Sequence, residues 1–117
     1  DRAPPEALWS EPLVASRLLE YELWTRLHGL ERAATAGDAA RAMLARFDFV
    51  ELRPEVLQRV LHPFPAPVRT LDAMHLATLS FLREQGYEVE LATYDGRMAV
   101  AAEAMGLGRY RLDAAGP

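Results

Sequence analysis

The chain contains no cysteine and no lysine. Without cysteine there are no disulfides, no thiolate nucleophiles and no thiolate metal sites, so carboxylates and three histidines are the available metal ligands. Any metal is therefore expected to be a hard cation. All thirteen basic residues are arginine, which together with the abundant alanine reads as a genome-composition bias rather than a design for ligands. The lack of lysine also counts against a doubly wound phosphoacceptor domain, which gathers acids at strand ends but would want a Lys near the phosphate. No apolar run approaches the roughly 20 residues needed to span a bilayer, and no basic segment followed by an apolar one opens the chain. The resulting expectation is a soluble protein of the cytoplasm with no membrane partner. No internal repeat or low-complexity segment is evident.

The 117 residues are 50% hydrophobic and 26% charged, which suits one domain, 1–117, with a real core. A net charge of -4 argues against a strong non-specific nucleic-acid binder, which would carry a basic surface. It does not argue against a nuclease. A site built of carboxylates brings negative charge of its own, which bound divalent cations offset locally.

The stretch Arg69-Thr70-Leu71-Asp72-Ala73-Met74-His75-Leu76-Ala77-Thr78 organises the rest. With Thr70 as N-cap, Asp72 falls in the first turn of a helix, in one stripe with Val68, Leu76 and Leu79. Ala73, Ala77 and Ser80 form an adjacent strip small enough for close backbone approach. An acid in a first turn is also what the helix dipole selects unaided, so chemistry at Asp72 depends on partners elsewhere.

Before this helix, Pro4-Pro5-Glu6 reads as a helix start with proline in the first turn. Leu13 to Ser16 reads as a buried parallel strand ending in a cap, and Arg17 to Leu30 as a helix. Glu20 and Glu22 lie about 200° apart around that helix, so only one can face inward. Glu22 is on the apolar side, near Leu18 and Leu19; Glu20 shares a face with Trp24. Equally, Glu22 is spaced for an ion pair with Arg26. Asp38 is expected to cap a short helix over 39–46, and a strand follows over 47–52. Another helix runs from Pro54 to about His62, after which Pro63, Pro65 and Pro67 forbid regular structure. Beyond the Asp72 helix, with Gly86 near its C-cap, 89–94 reads as a strand, Met98, Val100, Ala101, Ala104 and Met105 as a helix closing at Gly106, and 110–112 as a last short strand. Asp95 would then stand at a strand-to-helix junction with the Thr93 hydroxyl beside it, as a ligand or simply as a cap.

Alternating strands and helices imply an α/β three-layer sandwich with a largely parallel sheet, whose ligands gather beyond the strand ends. Glu22, Asp72 and Asp95 are three carboxylates that a single cleft could collect. Oxygen ligands of this kind suit Mg²⁺ or Mn²⁺, which polarise a phosphodiester and activate water.

Ser16-Arg17-Leu18-Leu19-Glu20-Tyr21-Glu22-Leu23, the Arg69 to Ala77 stretch, and Thr93-Tyr94-Asp95 with Ala101-Ala102 and Gly106-Leu107 resemble the PIN-domain ribonucleases. The resemblance is strongest to the VapC-like toxins of toxin-antitoxin pairs and covers nearly the whole chain. It places the family's second, third and fourth acids on Glu22, Asp72 and Asp95, as catalytic metal ligands, with Thr93 in support. Family members open on a hydrophobic first strand ending in Asp. Here Asp1-Arg2-Ala3-Pro4-Pro5 matches the segment after that strand, so the first strand is expected to be missing from this chain, and Asp1 is not its acid.

The resemblance implies a Mg²⁺- or Mn²⁺-dependent endoribonuclease that leaves a 3′-hydroxyl and a 5′-phosphate. It implies an RNA substrate, a homodimer and a cognate antitoxin. The alternative is a catalytically inactive PIN-like scaffold binding RNA or a protein, its acids serving as caps and salt bridges. Among other polar residues, His75 reads as a partner or core residue, while His28 and His62 sit at element ends. Arg26, Arg69 and Arg97 are in reach of RNA phosphate but read first as solvated or salt-bridging.

Overall fold

A computed structural model describes residues 4–112; Asp1 and the last five residues lie outside the described part. The chain falls into two units, Pro12–Leu52 and a second that joins the segment up to Glu11 with everything from Arg53 onward.

In the first unit β1 (Leu13–Ser16) is followed by α1 (Leu18–Gly29), α2 (Ala33–Leu44) and β2 (Phe47–Val50). β1 pairs in parallel with β2, Leu13 opposite Phe47 and Ser16 opposite Val50. Arg17 N–H donates to Val50 O at 2.9 Å, carrying the ladder one residue past β1. Ser16 is buried and its Oγ accepts from Leu18 N–H at 3.1 Å, so the expected capping hydroxyl serves the first turn of α1. Arg17 fastens the same junction. Its guanidinium lies 4.5 Å from the centre of the Phe49 ring, donates to Glu51 at 2.7 Å and pairs with Glu20 at 3.0 Å. Hydrogen bonds to Glu51, then Glu20, hold Arg17 even more firmly charged than usual.

The helix expected over 39–46 proves longer, because α2 begins at Ala33 and carries Gly37 and Asp38 in its interior. Asp38 is not its cap. A Cβ at Gly37 would stand 3.3 Å from Trp24 Cη2, so the missing side chain lets α2 lie against the indole. Exposed Asp38 pairs instead with Arg41 at 2.8 Å.

In the second unit Glu6–Ser10 forms a single 3-10 turn after Pro5. α3 (Pro54–Leu57) runs into another 3-10 turn, and α4 (Thr70–Glu84), β3 (Glu90–Leu91), α5 (Gly96–Ala104) and β4 (Gly108–Arg109) follow. Pro63, Pro65 and Pro67 are exposed, while the residues between and after them, Phe64, Ala66 and Val68, pack on the core. The period of two is that of a strand, built where prolines deprive the backbone of ladder donors.

That core is Leu76, Leu91, Met98, Ala101, Ala102 and Leu107, with Leu79 against it. Ala73, Ala77 and Ser80 are buried as the small strip requires. α4 starts one residue earlier than expected: Arg69 O accepts from Ala73 N–H at 2.8 Å, so Arg69 is the cap residue and Thr70 is already helical.

β3 pairs in parallel with β4 over two residues only, closed by Tyr110 N–H donating to Leu91 O at 2.8 Å. The longer strand expected over 89–94 is cut short because its partner is short. The last strand comes two residues earlier than expected, since Leu107 is already drawn into the core after Gly106 ends α5. The fold class is α/β with every described strand pair parallel, as strand-helix alternation predicts.

Candidate active site

Asp72 stands in the first turn of α4, where the unpaired N–H groups of a helix start favour a negative charge. Leu76, one turn further on, is fully buried and draws that face inward. The Asp72 side chain is only 17% exposed, and its pair is the 74% exposed Arg69, Nε to Oδ2 at 3.7 Å. That distance exceeds a hydrogen bond. An enclosed carboxylate is thus balanced by a loose, solvated counter-ion and the helix dipole.

Asp95 is the N-cap of α5. One oxygen, Oδ1, accepts from Arg97 N–H at 3.0 Å and Met98 N–H at 3.5 Å, which leaves Oδ2 for another partner. Thr93 Oγ1 accepts from Asp95 N–H at 3.0 Å, so the expected hydroxyl does stand beside the acid, fixing its backbone. Neither residue lies in β3; a tight turn rather than a strand end presents Asp95 to the helix. Leu76, a turn beyond Asp72, and Met98, three residues beyond Asp95, belong to one buried cluster. The starts of α4 and α5 are therefore anchored on a common core.

Glu22 belongs to the other unit, midway along α1 and half-buried, while its neighbour Tyr21 is exposed. Glu20 is engaged by Arg17, in keeping with its assignment to the other face. Among the described residues no three of His, Asp and Glu stand close enough to hold an ion together. The oxygen donors are of the right kind for Mg²⁺ or Mn²⁺. Those ions are commonly held by one or two carboxylates, with water and substrate phosphate completing the shell.

Two features escaped the sequence. Arg69 shows the i,i+3 spacing to Asp72 that signals a pair, but not the looseness of that pair. The Arg17 clamp reaches Glu51, 34 positions along the chain, and Phe49 beside it, for which sequence carries no local signal.

No family model matches the chain, and no solved structure matches it. Among curated proteins it is similar to Ribonuclease VapC46 of Mycobacterium tuberculosis (strain ATCC 25618 / H37Rv). The identity is 37% over 97 residues, covering 82% of this chain and 71% of that protein. It is also similar to Ribonuclease VapC35 of the same species (strain CDC 1551 / Oshkosh), 34% identical over 95 residues, covering 80% and 68%. Similarity of this degree, spread along most of both partners and joined to a parallel α/β fold, means that the chain belongs to the VapC ribonuclease family of PIN-like proteins.

Proposed function

We propose that the protein is a metal-dependent endoribonuclease that hydrolyses RNA phosphodiester bonds as the toxin of a toxin-antitoxin pair. The observation that carries the reading is the 37% identity to a VapC ribonuclease along 82% of the chain. The protein acts in the cytoplasm as a homodimer, and its cognate antitoxin masks the acids until it is removed. Among the described residues no helix is long and apolar enough to cross a membrane.

Glu22, Asp72 and Asp95 are the carboxylates that hold Mg²⁺ or Mn²⁺. When bound, such an ion polarises the phosphate, lowers the pKa of water and stabilises the leaving oxygen of an in-line displacement. The chain's own part is positioning. Asp72 stands in the first turn of α4 with little solvent to compete for it. Asp95 has one oxygen locked by backbone N–H groups, which fixes the direction of the other. Thr93 sets the turn that delivers it.

The test is cleavage of a mixed-sequence single-stranded RNA by the purified protein in Mn²⁺. Asp72→Asn should lower the rate at least a hundredfold while circular dichroism stays unchanged, as removal of a charge-stabilising group does. Unchanged cleavage by Asp72→Asn would defeat the assignment. Retained RNA binding without cleavage by the unsubstituted protein would support the inactive scaffold instead.

A further inference from the structure

We infer that Arg69 is a displaceable counter-ion that exchanges Asp72 for an RNA phosphate when a divalent cation takes the acid. The inference rests on the proposed metal site and adds a substrate-binding residue to it. Several other arginines are committed. Arg17 is clamped by Glu51 and Glu20, Arg41 by Asp38; Arg59 lies 4.2 Å over the Phe64 ring, and Arg83 donates to Met105 O at 2.8 Å. Arg69 is placed differently. Its pair with Asp72 is 3.7 Å long and 74% of its side chain is in solvent, whereas Asp72 is 17% exposed. The acid is enclosed and the base is free to move.

The backbone adds a constraint. Arg69 is extended, with φ -82° and ψ 164°, and it immediately precedes the helical residues of α4. Its side chain thus pivots at the rim of the helix start while Asp72 stays fixed by the first turn. A cation on Asp72 would cancel the attraction that holds the guanidinium and repel it at short range. The planar fork that is released matches the two non-bridging oxygens of a phosphodiester. A metal-free protein therefore keeps Asp72 paired, and metal loading frees a phosphate ligand beside it.

The experiment uses Arg69→Gln and Arg69→Lys with two readouts besides turnover. In Mn²⁺ binding followed by electron paramagnetic resonance without RNA, Arg69→Gln should bind as tightly as the unsubstituted protein or a few-fold tighter, having lost a competitor for Asp72. In cleavage of mixed-sequence single-stranded RNA, KM should rise about tenfold with kcat within about twofold, the signature of lost uniform binding. The salt dependence of kcat/KM should lose about one unit of slope, as for one phosphate contact. Arg69→Lys should keep that slope. A weaker Mn²⁺ affinity in Arg69→Gln would overturn the inference, because Arg69 would then support the acid rather than compete for it. An unchanged KM and slope would overturn it as well, with the metal site left standing. If Asp72→Asn binds Mn²⁺ like the unsubstituted protein, the metal site and the inference fall together.

Discussion

Asp95 serves two roles with one carboxylate, and the two oxygens let them be separated. As a cap it needs only an acceptor for the N–H groups of Arg97 and Met98; as a ligand it needs a negative charge on an oxygen. Asn supplies the first and not the second. Asp95→Asn should therefore unfold in urea within about 0.5 kcal/mol of the unsubstituted protein, whereas Asp95→Ala should lose about 1 kcal/mol. Both should lose RNA cleavage equally. Parallel losses of stability and cleavage across the two variants would reduce Asp95 to a cap. At this scale the sequence was informative about type and spacing, since Asp72 falls in a first turn and Asp95 at a helix start as expected. It was silent on Arg17, whose partners Phe49 and Glu51 come from a distant strand end, and on Asp38, because only the indole of Trp24 explains a glycine inside α2.

Three helices end in the same way. α4 and α5 each close on a glycine at positive φ, Gly86 at 95° and Gly106 at 79°, and the next N–H reaches back to the third residue from the helix end, Tyr87 to Leu82 O and Leu107 to Ala102 O. α1 makes the same turn with Glu31 at φ 56°, Arg32 N–H donating to Leu27 O at 2.8 Å. Gly29 is two residues too early to take that place. A left-handed residue with a Cβ costs roughly 1 kcal/mol, and Glu31 is exposed, so Glu31→Gly should raise the midpoint of urea unfolding by a stabilisation of up to about 1 kcal/mol. A lower midpoint would show that the Glu31 side chain contributes more than its strain costs. The helix ends at Gly86 and Gly106 were legible because glycine is the usual residue for a left-handed cap; the end at Glu31 was not, because nothing in Glu marks it. Strand lengths were equally obscure. The apolar run 89–94 looks like a strand, but its length is set by a partner far along the chain, and that partner pairs over two residues.

For the whole molecule, the α/β class followed from alternation of periods, and the parallel pairing of both strand pairs agrees with it. The core of the second unit rests on Leu76, which is fully buried between residues of α5 and the β3 and β4 segments. Leu76→Ala should cost about 2–5 kcal/mol, and because Leu76 and Met98 anchor the starts of α4 and α5, it should weaken Mn²⁺ binding without touching a ligand. Normal Mn²⁺ affinity in a Leu76→Ala protein still folded by circular dichroism would uncouple the core from the acids. Net charge -4 gives the surface little affinity for RNA by itself, so a chelator should abolish RNA association in filter binding together with cleavage. RNA held equally well in excess chelator would place recognition outside the acids. The proposed function depends on Glu22, Asp72 and Asp95 each serving as a ligand of Mg²⁺ or Mn²⁺. Mn²⁺ titration followed by electron paramagnetic resonance tests it most directly. Glu22→Gln, Asp72→Asn and Asp95→Asn should each weaken binding at least tenfold with the fold intact, and three variants that bind Mn²⁺ like the unsubstituted protein would contradict it.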